Sequence, residues 1–216
     1  MPCILVAGAP LSGAFNRELL EKIAKADLLV AEERKSALRL LTAAKRRDIP
    51  FILLNEHSTT KDIPAIAELA AKKDFTVFVS DAGTPCIADP DYRFIDACIA
   101  LGVEMRTLPG ASSITAALSV SGFDAARFNF FGFPPKQAAA RADFYKELAC
   151  CPFTAVFLER PYALERTVKE LAEHNFFVSI SISLGGVDEK NLRGFAKELI
   201  GEVKGIKAPF TVVKRG

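Results

Sequence analysis

Short apolar segments alternate with segments of helical periodicity along the first half of the chain. Residues 4–7, 27–31 and 76–79 predict strands, and the segments between them carry apolar residues at three- and four-residue spacing, which predicts helices. Strands that alternate with helices favour a mainly parallel sheet that is covered on both faces. The sequence therefore predicts an α/β fold.

Glycine and proline follow several of the predicted strands. Such loops occupy residues 8–10, 80–85 and 109–110, and ligands of open α/β sheets bind beyond the carboxyl ends of the strands. Gly83 permits backbone conformations closed to other residues, and Asp81 and Thr84 offer oxygen atoms to a ligand. We place the candidate site in these loops, with an ordinary strand-to-helix turn as the alternative interpretation.

The composition changes near residue 122, where an aromatic stretch at residues 128–133 precedes two prolines. A chain of 216 residues is long enough for two domains of about 100 residues each. We therefore predict one domain over residues 1–122 and a second over residues 123–216.

Composition excludes several classes of function. The net charge is only +2, so no strongly cationic face for DNA is expected, although residues 45–47 form a basic run that could contact RNA phosphates or end a solvated helix. Five cysteines without C-x-x-C spacing and two histidines argue against a metal site or a disulfide framework. No apolar run reaches the roughly 20 residues of a membrane span, so a cytoplasmic protein without a membrane partner is expected.

Catalytic side chains are harder to predict. With only His57 and His174, no Ser-His-Asp or Cys-His set can be assembled, and the catalytic residues stay unassigned. Four charged residues at 32–35 follow a predicted strand, and they form either a solvated face or a substrate contact.

One segment resembles a known signature. Residues 80–90 read S-D-A-G-T-P-C-I-A-D-P, which is similar to S-D-A-G-T-P-x-I-x-D-P-G in the enzymes that 2′-O-methylate a cytidine ribose of small-subunit ribosomal RNA. Residues 26–34, 54–57, 108–113, 121–134, 156–161 and 193–194 resemble other segments of these enzymes in the same order. The chain thus resembles the tetrapyrrole (corrin/porphyrin) methylase family, and within it this ribose methyltransferase branch.

The resemblance implies a fold, a cofactor and partners. It implies a mainly parallel sheet in the N-terminal domain, a mixed sheet in the C-terminal domain, and S-adenosylmethionine bound in the cleft between them without a metal. It also implies a homodimer that acts on RNA or a ribosomal subunit. The residues carried over as cofactor-binding are Pro10, Asp81, Ala82, Gly83, Ile87, Ser112, Leu158, Leu184, Ala208 and Pro209.

The sequence departs from the family pattern mainly on the acceptor side. The family's E-D-T-R has become residues 32–35, D-P-G has become D-P-D with Asp91, and Tyr162 replaces a histidine. We assign Glu32, Arg34 and Lys35 as substrate-binding residues, and we expect the C-terminal extension of the RNA enzymes to be absent. A tetrapyrrole or other small-molecule acceptor, and a non-catalytic S-adenosylmethionine-binding module, remain the alternatives.

Overall fold

The computed structural model describes residues 1–55, 58–59, 61–89 and 91–216. The chain forms two compact units, Met1–Ser112 and Ser113–Gly216. Among the described helices, none combines the length and the apolar character needed to cross a membrane.

The first unit is an α/β layer structure. Its elements are β1 (Cys3–Ala7), α1 (Arg17–Ile23), β2 (Leu28–Ala31), α2 (Arg34–Ala43), β3 (Phe51–Leu53), α3 (Asp62–Ala71), β4 (Phe75–Val79), α4 (Tyr92–Ala100) and β5 (Glu104–Leu108). The strands form one sheet in the order β3-β2-β4-β1-β5, and every pairing in it is parallel.

Helices cover both faces of the first sheet, as the apolar strands require. On one face, Leu19 of α1 and Leu40 of α2 pack in a cluster with Leu5 and Val77. On the other face, α3 and α4 pack against β1, β2 and β4, where the rings of Phe78 and Phe94 meet edge to face at 5.4 Å. The sheet is therefore a buried layer whose carboxyl edge is formed by loops.

The second unit contains a mixed sheet. Its elements are α5 (Ser113–Ser121), β6 (Phe128–Phe130), α6 (Ala138–Cys150), β7 (Thr154–Glu159), a 3₁₀ turn (Pro161–Ala163), α7 (Leu164–Glu173), β8 (Phe177–Ile182), β9 (Lys190–Phe195), α8 (Ala196–Leu199), a second 3₁₀ turn (Ile200–Val203) and β10 (Phe210–Lys214). The strand order is β6-β7-β10-β8-β9. The β6–β7 pair is parallel, and the other pairs are antiparallel.

The second sheet also has a core on each face. Helices α6 and α7 place residues such as Phe144 and Leu171 against Phe157 of β7. On the opposite face, Ile114 and Leu118 of α5 pack against Val156 and Val213. Because α5 buries its apolar face on the second sheet, it belongs to the second unit.

The predicted fold class is confirmed, with a parallel first sheet and a mixed second sheet. The compact units divide between Ser112 and Ser113, whereas the sequence placed the boundary between residues 122 and 123. The difference is helix α5, since the change in composition occurs after the helix and not at its start. Strand β9 was not predicted, because its alternate residues are exposed and polar.

Candidate functional site

The strand-end loops of the first unit meet at one edge of its sheet. Strand β1 lies between β4 and β5, so the loops that follow these three strands are neighbours. Ala9 and Gly83 exchange two main-chain hydrogen bonds, of 2.8 and 3.1 Å, and the Gly8 N–H donates to the carbonyl of Leu108 at 3.0 Å. The three loops in which the sequence places the candidate site are therefore in contact with one another.

Two glycines allow the first and third loops to cross. A Cβ atom added to Gly8 would lie 2.6 Å from the Cα atom of Gly110, and one added to Gly110 would lie 2.6 Å from the Cα atom of Gly8. No side chain fits at that separation, since real Cβ contacts are longer. The close backbone approach at this edge thus requires glycine at both positions.

The loop after β4 has an unusual backbone. Gly83 has φ +78°, and the non-glycine residues Cys86 and Ala88 also have positive φ, at 67° and 60°. The Thr84 hydroxyl ties the loop to its neighbour by donating to the carbonyl of Ala111 at 3.2 Å. Backbone strain of this kind persists where the surrounding structure enforces it and is common in ligand-binding loops.

Asp81 presents an unpaired oxygen in this loop. Its main-chain N–H donates to the carboxylate of Glu32 at 3.2 Å, which fixes the loop against the end of β2. Its Oδ1 atom is buried and has no hydrogen-bond partner among the described residues. Because buried polar groups are nearly always paired, this oxygen suits a donor group on a bound molecule.

Further acids lie beside Glu32 and Asp81. Asp91 is only 3% exposed, its N–H donates to Asp89 at 3.2 Å, and its Oδ2 is buried without a partner in the described part of the chain. Burial, with the charges of Asp89 and Glu32 added, raises the pKa of Asp91 to about 7. Burial and the neighbouring acids also raise the pKa of Glu32, although the Asp81 N–H opposes that shift. Acidic side chains are therefore concentrated at this edge of the first sheet, which we call the loop edge, with Glu32, Asp81, Asp89 and Asp91 among the described residues.

The described acids, cysteines and histidines do not form a metal site. No three of them come together as potential ligands within residues 1–55, 58–59, 61–89 and 91–216. Burial, followed by the charges of Asp91 and Asp89, raises the pKa of the Cys86 thiol to about 11, so this sulfur stays protonated at neutral pH. A protonated thiol is a poor nucleophile and a poor metal ligand.

The predicted residues of the second unit lie at one end of its sheet. Leu158 pairs with Thr211, and Ser183 donates to the carbonyl of Pro209 at 2.8 Å. Leu158 and Leu184 are half-buried and pack on the same cluster as α5, while Ala208 packs on the opposite core. The predicted set thus shares one end of the second sheet, with Ala208 on the opposite face from Leu158 and Leu184.

The same end of the second sheet holds a buried ion network. The Arg141 guanidinium donates to Glu159 at 2.7 Å and to Glu170 at 2.7 Å, and it also reaches Tyr145 and Thr167. Burial alone would lower the pKa of Arg141, but its hydrogen bonds to the two glutamates raise it. The cation is therefore permanent, and Glu159 is held in one orientation.

The predicted first-unit residues lie in three adjoining loops. The loop positions Asp81, Ala82, Gly83 and Ile87 occupy the segment after β4, and Ile87 is 49% exposed. Pro10 and Ser112 belong to the adjoining loops, and Pro90 of the signature lies outside the described residues.

The three predicted acceptor-side residues do not share one set of contacts. Glu32 contacts the loop through Asp81. Arg34 instead begins helix α2 with its guanidinium 5.6 Å from the centre of the Phe51 ring, and Lys35 is exposed beside it. Glu32 follows β2 and Arg34 begins α2, so they are close in sequence, but their side chains contact different parts of the first unit.

Asp89 and Asp91 were noted in the sequence but were not predicted as site residues, although both lie at the loop edge. The available signal was the aspartate at position 91, where the family signature has glycine. A charged residue at a glycine position is a strong departure, and the structure shows that its side chain is buried.

Comparison with known proteins identifies the class of the molecule. The family model described as Tetrapyrrole (Corrin/Porphyrin) Methylases matches residues 4–200. By family, the molecule is an S-adenosylmethionine-dependent methyltransferase. The chain belongs to the tetrapyrrole methylase family.

Curated relatives cover almost the whole chain. It is 35% identical over 224 residues to ribosomal RNA small subunit methyltransferase I of Mycobacterium tuberculosis (strain CDC 1551 / Oshkosh), which covers 99% of this chain and 77% of the relative. The protein of the same name in Thermotoga maritima is 31% identical over 172 residues, which cover 79% of this chain and 77% of the relative.

Solved structures agree on the fold. Diphthine synthase superposes with a TM-score of 0.76 at 16% identity, covering 99% of this chain and 89% of that one. The methyltransferase CobJ superposes with a TM-score of 0.72 at 17% identity, covering 100% of this chain and 95% of that one. At these identities the likeness concerns the fold alone.

Proposed function

We propose that this methyltransferase transfers the methyl group of S-adenosylmethionine to a ribose 2′-hydroxyl of small-subunit ribosomal RNA. The observation that carries the donor part is the buried, unpaired Oδ1 of Asp81 beside Gly83, at an edge where three loops meet. The acceptor part is supported by the name of the relatives, ribosomal RNA small subunit methyltransferase I.

The described residues fit S-adenosylmethionine. Its amino and hydroxyl groups can donate hydrogen bonds to the Asp81 carboxylate. Gly83 has a positive φ and no side chain, so a ligand can approach the main chain closely there. The cosubstrate supplies a methyl group that is already activated by the sulfonium charge. The excess of negative charge from Glu32, Asp81 and Asp89 would also stabilise a cationic ligand.

The protein's own contribution is positioning. The two hydrogen bonds between Ala9 and Gly83 fix the loops, so little ordering is left to occur on binding. The proposed contacts of Pro10, Ile87 and Ser112 in the first unit come from the family resemblance. So do those of the second-unit set Leu158, Leu184, Ala208 and Pro209. A homodimer and a cytoplasmic location are part of the same proposal.

The donor proposal is tested with Gly83→Val. A β-branched residue at φ +78° is strained and places methyl groups in the loop, so we expect an affinity loss of about 100-fold or more. Isothermal titration with S-adenosylmethionine measures it. Gly102→Val is the matched control, because Gly102 has φ +73° with no atom near its missing Cβ but ends helix α4. Equal affinity of Gly83→Val and the native protein would remove this loop from the site.

The acceptor proposal needs a separate assay. Methyl transfer from labelled S-adenosylmethionine is measured with small ribosomal subunits, naked ribosomal RNA and porphyrin precursors. We expect label in the RNA, at a nucleotide that resists alkaline cleavage because its 2′-oxygen is blocked. Label only in the porphyrin precursors would reject an RNA acceptor while leaving the donor site intact.

A further inference from the structure

Helix α2 and the segment after it carry an unbalanced positive charge. Residues 34–47 contain six basic residues and no acidic one, although the net charge of the whole chain is only +2. Arg34, Lys35, Arg39, Lys45 and Arg47 are exposed. The small net charge therefore hides a local cationic surface, which is the electrostatic feature that binds nucleic-acid phosphates.

A groove lies on this surface. Its volume is about 670 Å³, and Arg34 and Arg47 line it together with the apolar side chains of Leu38, Ile49 and Phe51. Phe51 belongs to β3, which is an edge strand of the first sheet, so β3 pairs with a strand on one side only. The groove offers cations and an apolar wall to one occupant.

The two arginines are not neutralised within the described chain. Arg34 contacts the Phe51 ring, and the Arg47 guanidinium donates to the Thr42 hydroxyl at 2.8 Å. The carboxylate that follows Arg47 in sequence, Asp48, pairs with Arg46 at 2.9 Å. Both guanidinium groups therefore keep donors for an anion.

From these features we infer that the groove between α2 and β3 binds a nucleotide of the substrate RNA outside the methyl-transfer site. The phosphates lie on Arg34 and Arg47, and the base packs on the apolar wall at Phe51. Guanidinium groups beside an aromatic ring suit this ligand, because arginine binds phosphate and both groups stack on bases. The inference rests on the proposed RNA substrate and assigns Arg34 to RNA docking and not to the acceptor hydroxyl.

The test uses the full chain with Arg34→Gln and Arg47→Gln combined. Binding of fluorescein-labelled poly(uridylate) and of naked small-subunit ribosomal RNA is followed by anisotropy at several KCl concentrations. We expect affinity to fall about tenfold and the slope of log K against log salt to shrink by about 1.4, at about 0.7 per lost single-strand phosphate contact. S-adenosylmethionine affinity should stay at the native value, which shows that the variant is folded.

Two further variants separate the parts of the groove. Arg106→Gln is the matched control, since Arg106 is an exposed arginine on β5, at the opposite edge of the same sheet. The RNA affinity of this variant should equal that of the native protein. Phe51→Leu keeps the apolar contact with the core but loses the ring, so affinity should fall about fivefold without a change in salt slope. An unaltered affinity in Phe51→Leu would overturn the base contact.

The outcomes distinguish this inference from the proposed function. If the native chain methylates ribosomal RNA while the double arginine variant binds RNA with native affinity and slope, the groove assignment is wrong and the function stands. If the native chain neither binds nor methylates RNA, both are wrong. Displacement of the RNA by inorganic phosphate at matched ionic strength would make the groove a site for free anions and would also overturn the assignment.

Discussion

Buried carboxylates are paired in the ion network of the second unit, whereas those at the loop edge of the first unit have oxygen atoms without partners among the described residues. In the network of the second unit, Arg141 is hydrogen-bonded to Glu159 and Glu170, so each of these three charges has an opposite charge beside it. In the first unit, Asp81 and Asp91 bury oxygen atoms that lack partners among the described residues. A satisfied network stabilises the fold, whereas unpaired groups cost stability unless a ligand completes them.

The pairing of polar groups therefore distinguishes a structural region from the proposed binding region. Both regions lie at strand ends, and both contain glutamate or aspartate, so residue type alone does not distinguish them. The partner of each carboxylate decides its role. Variants that remove one partner, one close approach or one unpaired charge test this distinction, and the expected effects decrease in that order.

The largest effect is expected for Arg141→Met. The substitution keeps much of the apolar volume but removes the shorter ion pair of Glu159, whose side chain is 1% exposed, and leaves it only the contact with Arg160 at 3.1 Å. Removing one member of a buried ion pair costs about 3–5 kcal/mol, and chemical denaturation measures the loss in the free energy of unfolding.

Arg166→Met is the control for the second unit. Arg166 also contacts Glu170, at 2.9 Å, but its side chain is 58% exposed, so its loss should cost less than about 1 kcal/mol. Similar losses in the two variants would show that the buried network does not stabilise the unit, and the contrast with the loop edge would disappear.

Much of the fold could be predicted from the sequence, because apolar runs identify buried strands. Strands β1, β2 and β4 consist mostly of buried apolar residues, which is the pattern that periodicity detects. The edge strands of the second sheet were harder: β6 is short and exposed, and β9 is polar on one side. An edge strand buries less surface, so its sequence carries a weaker signal.

The candidate site could be predicted as a set of loops but not as a set of interactions. The loops at residues 8–10, 80–85 and 109–110 were expected to hold the site, and they are neighbours because β1 lies between β4 and β5. The contact of Glu32 with the Asp81 N–H and the burial of Asp91 depend on side-chain directions at the loop edge. Periodicity and spacing contain no information on those directions.

An intermediate effect is expected for Gly110→Ala. The added Cβ would lie 2.6–2.7 Å from the backbone atoms of Gly8, so the two loops must separate. Overpacking of this kind costs about 1–3 kcal/mol, and since the loops form the proposed donor site we expect S-adenosylmethionine affinity to fall about tenfold as well.

Thermal unfolding and isothermal titration measure the two consequences of Gly110→Ala. Gly201→Ala is the control, because no atom lies within 4 Å of its missing Cβ. A loss of stability with native donor affinity would mean that the crossing supports the fold only, and the first-unit edge would then resemble the second-unit network more closely than we infer.

The smallest effect, and one of opposite sign, is expected for Asp91→Asn. The pKa of Asp91 is raised to about 7 by its burial and by Asp89 and Glu32, against about 3.9 in an unfolded chain. The native protein thus prefers the protonated acid, and its stability declines as the pH rises from about 4 to about 7 and the folded protein must ionise this group. An amide cannot ionise, so the variant should be more stable than the native protein at pH 8, by about 1–2 kcal/mol.

The difference in stability between Asp91→Asn and the native protein should depend on pH. Below about pH 4, aspartic acid is protonated in both the folded and unfolded states, so the two proteins should unfold with nearly equal free energies. Asp96→Asn, on an exposed position of the same helix α4, should leave stability unchanged within about 0.5 kcal/mol at either pH. If Asp91→Asn lowers stability at pH 8, the carboxylate has a stabilising partner in solution, and the loop edge is as well satisfied as the network around Arg141.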